Sequence, residues 1–155
     1  MSLSSPPAVT AQMLIRKPAA EAYAAFVDPA ITTRFWFTKS SGRLAPGAEV
    51  LWEWEMYGAA APVRVKALEP DHRILIDWGD PPREVEWQFT ARPDGTTLVI
   101  VSERGFQGSD DEMVAQAIDS QGGFSFVLAA LKAFLEHGIQ LNLVADHQPD
   151  AYVGR

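Results

Sequence analysis

Apolar and polar positions alternate through Val50-Leu51-Trp52-Glu53-Trp54-Glu55-Met56 and again through Val85-Glu86-Trp87-Gln88-Phe89. Successive side chains of a strand point to opposite faces. One face of this pair therefore gathers Val50, Trp52, Trp54, Met56, Trp87 and Phe89, while Glu53, Glu55, Glu86 and Gln88 stand on the other. Trp78 ends a third apolar run, Ile74-Leu75-Ile76-Asp77-Trp78. Between Lys39 and Arg104 the turn residues divide the chain into six strands, with a first strand earlier at Val9 to Ile15. Tyr57-Gly58-Ala59-Ala60 suits a two-residue hairpin with glycine first, a type II′ turn. That register predicts Trp54 opposite Val63, Trp52 opposite Val65 and Glu53 across from Arg64. Leu98-Val99-Ile100-Val101 is apolar on both phases, which predicts a strand central in the sheet or covered on both sides.

Helical spacing appears before and after this block. Pro18 suits the first position of a helix carrying Ala19, Tyr23, Phe26 and Val27, and Asp28-Pro29 repeats the start signal for a short helix reaching Phe35. That second helix carries the Phe35-Trp36-Phe37 cluster toward the core. From Asp110 the acidic residues Asp110, Asp111 and Glu112 suit a helix N-terminus. Val114, Ile118, Phe124, Val127, Leu128, Leu131, Phe134 and Leu135 then follow at helical spacing, with Lys132 on the solvated side. Gly122-Gly123 predicts a break, so that the main helix runs from Gly123 to His137 and ends at Gly138. Strand, two short helices, a run of antiparallel strands and one long helix make an α+β arrangement with the helix lying across the sheet.

The series Lys17-Pro18-Ala19-Ala20-Glu21-Ala22-Tyr23, Phe26-Val27-Asp28-Pro29 and Arg34-Phe35-Trp36 is similar to "APxxxVWxAxTDPxxxxxWW". That pattern marks the activator of heat-shock-protein-90 ATPase homologue family within the SRPBCC or START-like superfamily. Gly42, Gly47, Leu68-Glu69-Pro70 with Arg73-Ile74, Gly95-Thr96 with Leu98, and Gly105-Phe106 continue the resemblance in family order, from about Val9 to Gly138. The resemblance implies the helix-grip, or birch-pollen-allergen-like, fold: a curved antiparallel sheet wrapped around a long C-terminal helix. It places a flexible N-terminus at 1–8, one helix-grip domain at 9–145 and a tail at 146–155. It also implies a non-catalytic binding module for most of the superfamily. A co-chaperone-like domain in stress response that touches a larger ATPase, and a polyketide cyclase or aromatase-like enzyme, stand as alternatives. These motifs mark packing and turns, so they specify the fold more closely than the function.

Composition narrows the partners. A formal charge of −7 with 13 scattered basic residues offers no track for a phosphate backbone, so nucleic acid is not expected. With no cysteine, disulfides and thiolate chemistry are excluded. Neither a signal peptide nor a run of ~18 apolar residues appears, so the expected location is cytoplasmic with no membrane association. No cofactor is expected, and the assembly is expected to be a monomer or homodimer.

The candidate site is the indole-rich face. Trp52, Trp54, Met56, Trp78, Trp87 and Phe89 from the sheet, with Phe124 and Leu128 from the helix, either fill a core or wall an apolar cavity for a small hydrophobic ligand. A protein partner is the other possibility. Five aromatics burying ~200 Å² each at ~25 cal/mol/Å² contribute on the order of 25 kcal/mol before entropy, enough to tolerate a partly open cavity. Glu53, Glu55, Glu84 and Glu86 fall on the opposite phase and read as a charged outer surface mixed with Arg64, Lys66 and Arg83. Ser102, Gln121 and Tyr23 are polar residues that could face the cavity, with no evident role in proton transfer. His72, His137 and His147 do not converge. Asp146-His147-Asp150 lacks ligand spacing for zinc, so no metal site and no catalytic residue is assigned.

Overall fold

A computed structural model describes residues 2–153 of the chain. The assignments above at Met1, Gly154 and Arg155 lie outside the described residues. In chain order the elements are β1 (Val9–Ile15), α1 (Ala19–Val27), α2 (Pro29–Thr32), β2 (Lys39–Ser40), β3 (Glu49–Trp54), β4 (Ala59–Glu69), β5 (Arg73–Trp78), β6 (Arg83–Ala91), β7 (Thr97–Arg104), α3 (Asp110–His137) and α4 (Leu143–Asp146). The strands form one antiparallel sheet in the order β1-β7-β6-β5-β4-β3-β2. Its inner face packs with α1 and α3 into one core. A bulge between Val65 and Ala67 on β4 bends the sheet, as an extra unpaired residue does. This is the helix-grip α+β fold.

The β3–β4 hairpin departs from the two-residue turn. The chain leaves the ladder at Trp54 and makes a 3₁₀ turn over Glu55–Tyr57. Gly58 closes it in the left-handed region at φ 60°, donating its N–H to the Glu55 carbonyl. Such a φ suits glycine, so Gly58 caps the turn instead of opening a II′ turn. The register is therefore Trp54 with Ala59, Trp52 with Ala61, and Glu49 with Arg64. The shift is even, so the inward and outward faces are preserved. Trp52, Trp54, Trp87 and Phe89 are buried, Glu53 and Glu86 are half-buried and Gln88 is exposed. Met56 has left the strand for the turn. β7 lies between β1 and β6, its inward residues buried and Leu98 and Ile100 on the outer face half-covered.

Pro18 stands one residue ahead of α1 in an extended conformation. Asp28 caps α2 by accepting the Ala30 N–H at 3.0 Å. α2 ends at Thr32, and turns carry the chain on to Trp36, whose N–H donates to the Thr32 carbonyl. The fully buried Thr32 hydroxyl donates to the Ala25 carbonyl, 2.5 Å away, and tethers this connection to α1.

α3 is continuous across Gly122-Gly123, with no break. Two helical glycines cost about 1 kcal/mol each relative to alanine; docking of Phe124, Val127, Leu128 and Leu131, all buried, holds the helix through them. Ile118 is 69% exposed, and Ala117 and Met113 take the inner face instead, with Val9 and Phe106. Lys132 is half-covered: its Nζ donates to the Leu14 carbonyl at 2.8 Å and to Glu136 at 2.7 Å. At the chain ends, Leu3 N–H donates to Asp110 and Val153 N–H donates to the Tyr57 carbonyl.

On the outer face, Lys66 pairs with Glu84 at 2.5 Å and Asp77 at 3.3 Å, and Arg73 pairs with Glu86 at 2.5 Å. The hydrogen bond from Lys66 holds the Glu84 carboxyl below its usual range. Burial would raise Glu136, but hydrogen bonds from the Arg16 N–H and Lys132 outweigh it and leave that carboxyl lowered as well.

Leu131→Ala should destabilise by about 2–5 kcal/mol as a large-to-small core change. Gly122→Ala, where an added Cβ meets nothing within 4 Å, should stabilise by about 0.5–1 kcal/mol. Opposite shifts of the urea midpoint check both. Glu84 and Glu136 bind protons less readily folded than unfolded, so their stabilisation is complete above the ordinary carboxylate pKa of about 4.3 and is lost as pH falls through their lower folded values. Urea midpoints between pH 7 and pH 3 should fall mainly below about pH 4.5, and less steeply in the Glu84→Gln/Glu136→Gln variant.

Candidate functional site

Trp36 governs the interior. It is carried in by the turns after α2, is 6% exposed, and sits between sheet and helix. Its ring lies 5.1 Å from Trp52, 5.8 Å from Trp78, 5.9 Å from both Trp87 and Phe124, and 6.0 Å from Trp54. Phe26 and Phe37 flank it, with Phe37 stacked on Trp52 at 4.7 Å. Edge-on and tilted pairs of this kind each contribute about 0.5–1.5 kcal/mol beyond area burial. Trp36 thus fills the space between the middle of the sheet and α3.

Open volume lies at one end of this cluster. A cavity of about 420 Å³ is walled by Trp54, Ala60 and Ala61, by Trp78 and the Gly79-Asp80-Pro81 turn, and by Arg83, Gly105, Gln107 and Gln116. A second, of about 180 Å³, is lined by Trp36, Trp78, Arg83, Asp119, Ser120, Gly123, Phe124, Val127, Val144 and His147. Trp78 and Arg83 belong to both and form the wall between them.

Of the residues singled out in the sequence, Trp54, Trp78 and Phe124 line these two cavities. Trp52, Trp87, Phe89 and Leu128 lie in the packed core behind them. Met56 faces a separate cavity of about 140 Å³ beside Trp36, Ala130 and Val144. Tyr23 is buried edge-on against Phe89 at 5.7 Å; burial, with Asp71 nearby, pushes its phenol up. Ser102 stands on the outer face within 3.4 Å of Thr10, and Gln121 is exposed. His147 packs at a tilt against Phe126, the rings 4.7 Å apart, with Nδ1 2.7 Å from the Val144 carbonyl. Among the described residues no group of His, Asp and Glu side chains is placed to hold a metal.

The polar centre of the wall is Glu103. Its side chain is wholly buried. Trp78 Nε1 donates to Oε2 at 2.7 Å, Arg83 Nε lies 3.4 Å from the same oxygen, and Oε1 has no partner among the described residues. Arg83 also places its guanidinium 5.0 Å over the Phe106 ring. Arg83 therefore belongs to the inner face and not to the outer charged surface. Its phase shows this: Arg83, Val85, Trp87 and Phe89 share one side of β6, as Thr97, Val99, Val101 and Glu103 share one side of β7. That parity was legible in the sequence, but the apolar residues of β7 on both phases concealed it. Gly105, opposite the start of β6, has φ 98°, and a Cβ there would stand 3.4 Å from the Arg83 Cα. Its lack of a side chain lets the chain turn away directly beside Arg83.

The fold and this end-cavity define a helix-grip domain of the SRPBCC or START-like class. Residues 16–136 match the family described as Activator of Hsp90 ATPase homolog 1-like protein, and the chain belongs to that family. Similar solved structures include SSP2350 from Staphylococcus saprophyticus, 29% identical over 87% of this chain and 96% of that one, with TM-score 0.75. DynU16, a protein of the dynemicin biosynthetic locus, is 20% identical over 86% of this chain and 48% of its own, with TM-score 0.75. The Aha1 dimer from Colwellia psychrerythraea is 17% identical over 85% and 98%, with TM-score 0.72. At those last two identities the likeness is one of fold. No curated protein matches the sequence significantly.

Trp78→Phe keeps the ring but removes the donor to Glu103. A buried carboxylate that loses one of two partners should cost about 1–3 kcal/mol. The urea midpoint should fall accordingly, whereas Trp54→Phe, which removes no hydrogen bond to Glu103, should cost less.

Proposed function

We propose that the protein is a non-catalytic binding module that takes a small, mostly apolar ligand into the cavity beside Trp54 and Trp78. The observation that carries this is the cavity of about 420 Å³ between those two indoles, a volume within the roughly 300–1,000 Å³ of small-molecule sites. Its place differs from the one the sequence suggested. Trp36 occupies the space beneath the middle of α3, so the ligand sits at the end of the sheet, on the β5–β6 turn, with Trp52, Trp87, Phe89 and Leu128 as rigid backing.

The family description favours a second reading, in which the domain acts on a chaperone ATPase as a co-chaperone-like partner. The two readings make different demands. A ligand module needs its cavity accessible; a docking domain needs only its surface. No helix among the described residues is long and apolar enough to cross a membrane, and the charge of −7 disfavours nucleic acid as the partner. A cytoplasmic monomer or homodimer fits either role.

Titration with N-phenyl-1-naphthylamine, an uncharged apolar fluorophore, separates them. Saturable binding with quenching of tryptophan emission is expected. Trp54→Ala should weaken it about tenfold, and Glu55→Ala, exposed on the 3₁₀ turn, should leave it unchanged. Absence of saturable binding to the parent protein would transfer the assignment to the protein-interaction role.

A further inference from the structure

We infer that Arg83, held by the buried Glu103, selects neutral ligands that carry a carbonyl oxygen on an apolar body. This rests on the proposed ligand-binding role of the same cavity. Arg83 lines both cavities, and its Nη groups have no hydrogen-bond acceptor among the described residues. They are the guanidinium donors at a wall that also carries the side-chain amides of Gln107 and Gln116 in the larger cavity and the Ser120 hydroxyl in the smaller. A ligand oxygen reaching this wall meets a charged donor in a partly desolvated setting, where such hydrogen bonds are strongest.

The surrounding charges decide what kind of oxygen fits. Among the described residues Arg83 is the one lysine or arginine on the two cavities, while Asp80 lines the larger, Asp119 and His147 the smaller, and Glu103 lies behind the wall. Three carboxylates against one guanidinium leave the site net negative, which disfavours a carboxylate, sulfonate or phosphate. The burial of Glu103 adds a second barrier. Among the described residues its Oε1 is unpartnered and its Oε2 has only Trp78 and Arg83. An anion that drew Arg83 away would leave a buried charge with one hydrogen bond, which is strongly unfavourable. A ketone, ester or amide oxygen needs only the Nη hydrogens and leaves the Arg83–Glu103 pair intact. Glu103 is on this reading a positioning residue, fixing the guanidinium and cancelling its charge, and Arg83 is the residue that touches the ligand.

Displacement of N-phenyl-1-naphthylamine by three molecules of nearly one shape tests this: 2-acetylnaphthalene, 2-isopropenylnaphthalene and 2-naphthoate. In the parent the ketone should bind about tenfold or more tightly than either of the others, the range of one charge-assisted hydrogen bond. In Arg83→Met/Glu103→Gln, which removes both charges together, the ketone should fall to the level of the hydrocarbon, while the hydrocarbon itself is little changed. In Glu103→Gln alone, with the guanidinium no longer paired to Glu103, the advantage of the ketone over 2-naphthoate should shrink about tenfold, a selective change that loss of stability cannot produce. Equal binding of ketone and hydrocarbon to the parent would overturn the inference and leave the binding role standing. So would tightest binding of the naphthoate. Failure of the fluorophore itself to bind would remove both.

Discussion

The insertion of Trp36 between the sheet and α3 is the constraint on which the rest of the interior depends. An indole is among the largest side chains a core can take, and this one touches rings from β3, β5, β6, α1 and α3 at once. It reaches that position because α2 is short and tied back to α1 through the buried Thr32 hydroxyl. With Trp36 seated, its indole fills the middle of the grip, and a cavity of about 420 Å³ is left at the end where β5, β6 and the β7–α3 connection meet. The same packing explains why α3 runs unbroken over two glycines: Phe124, immediately after them, is clamped against Trp36 and Trp78.

At that end the wall joins Trp78 to a buried ion pair, Arg83 with Glu103. Burying a carboxylate is costly unless it is paired and hydrogen-bonded, and Glu103 is only partly satisfied. The buried Trp87 Nε1 is likewise without a partner among the described residues. A core optimised for stability alone would carry an apolar residue at 103. The charged pair stands instead beside the cavity for which a binding role is proposed. The family relationship is consistent with this division. The fold is shared with proteins as little as 16% identical, so the fold by itself does not set the function.

Much of the architecture follows from local rules. The period-two runs set which tryptophans face inward, and this survived a hairpin register different from the expected one, because the displacement was even. Asp28-Pro29 marked the start of α2 and Gly138 the end of α3 through the chemistry of helix termini. Where short-range signals failed, a longer-range packing term had overridden them. Gly122-Gly123 weakened the helix by propensity, but tertiary docking restored it; Gly58 suited two different turns, and only the closing of the β3–β4 ladder chose between them.

The candidate site divides in the same way. The sequence by itself determined that aromatic side chains would concentrate on one face, since alternation along a strand is a property of the backbone. It also carried, unread, the inward phase of Arg83 and Glu103. Whether those aromatics would enclose a cavity or fill one was decided only by the tertiary structure. That outcome depends on where a residue from a connecting segment, Trp36, comes to rest relative to strands up to about fifty positions away, and no periodicity encodes such a meeting. The joining of Trp78, Arg83 and Glu103 is of the same kind: three residues on three neighbouring strands become one unit, a hydrogen bond from Trp78 and an ion pair from Arg83 meeting on Glu103, only when the register of β5, β6 and β7 brings them side by side.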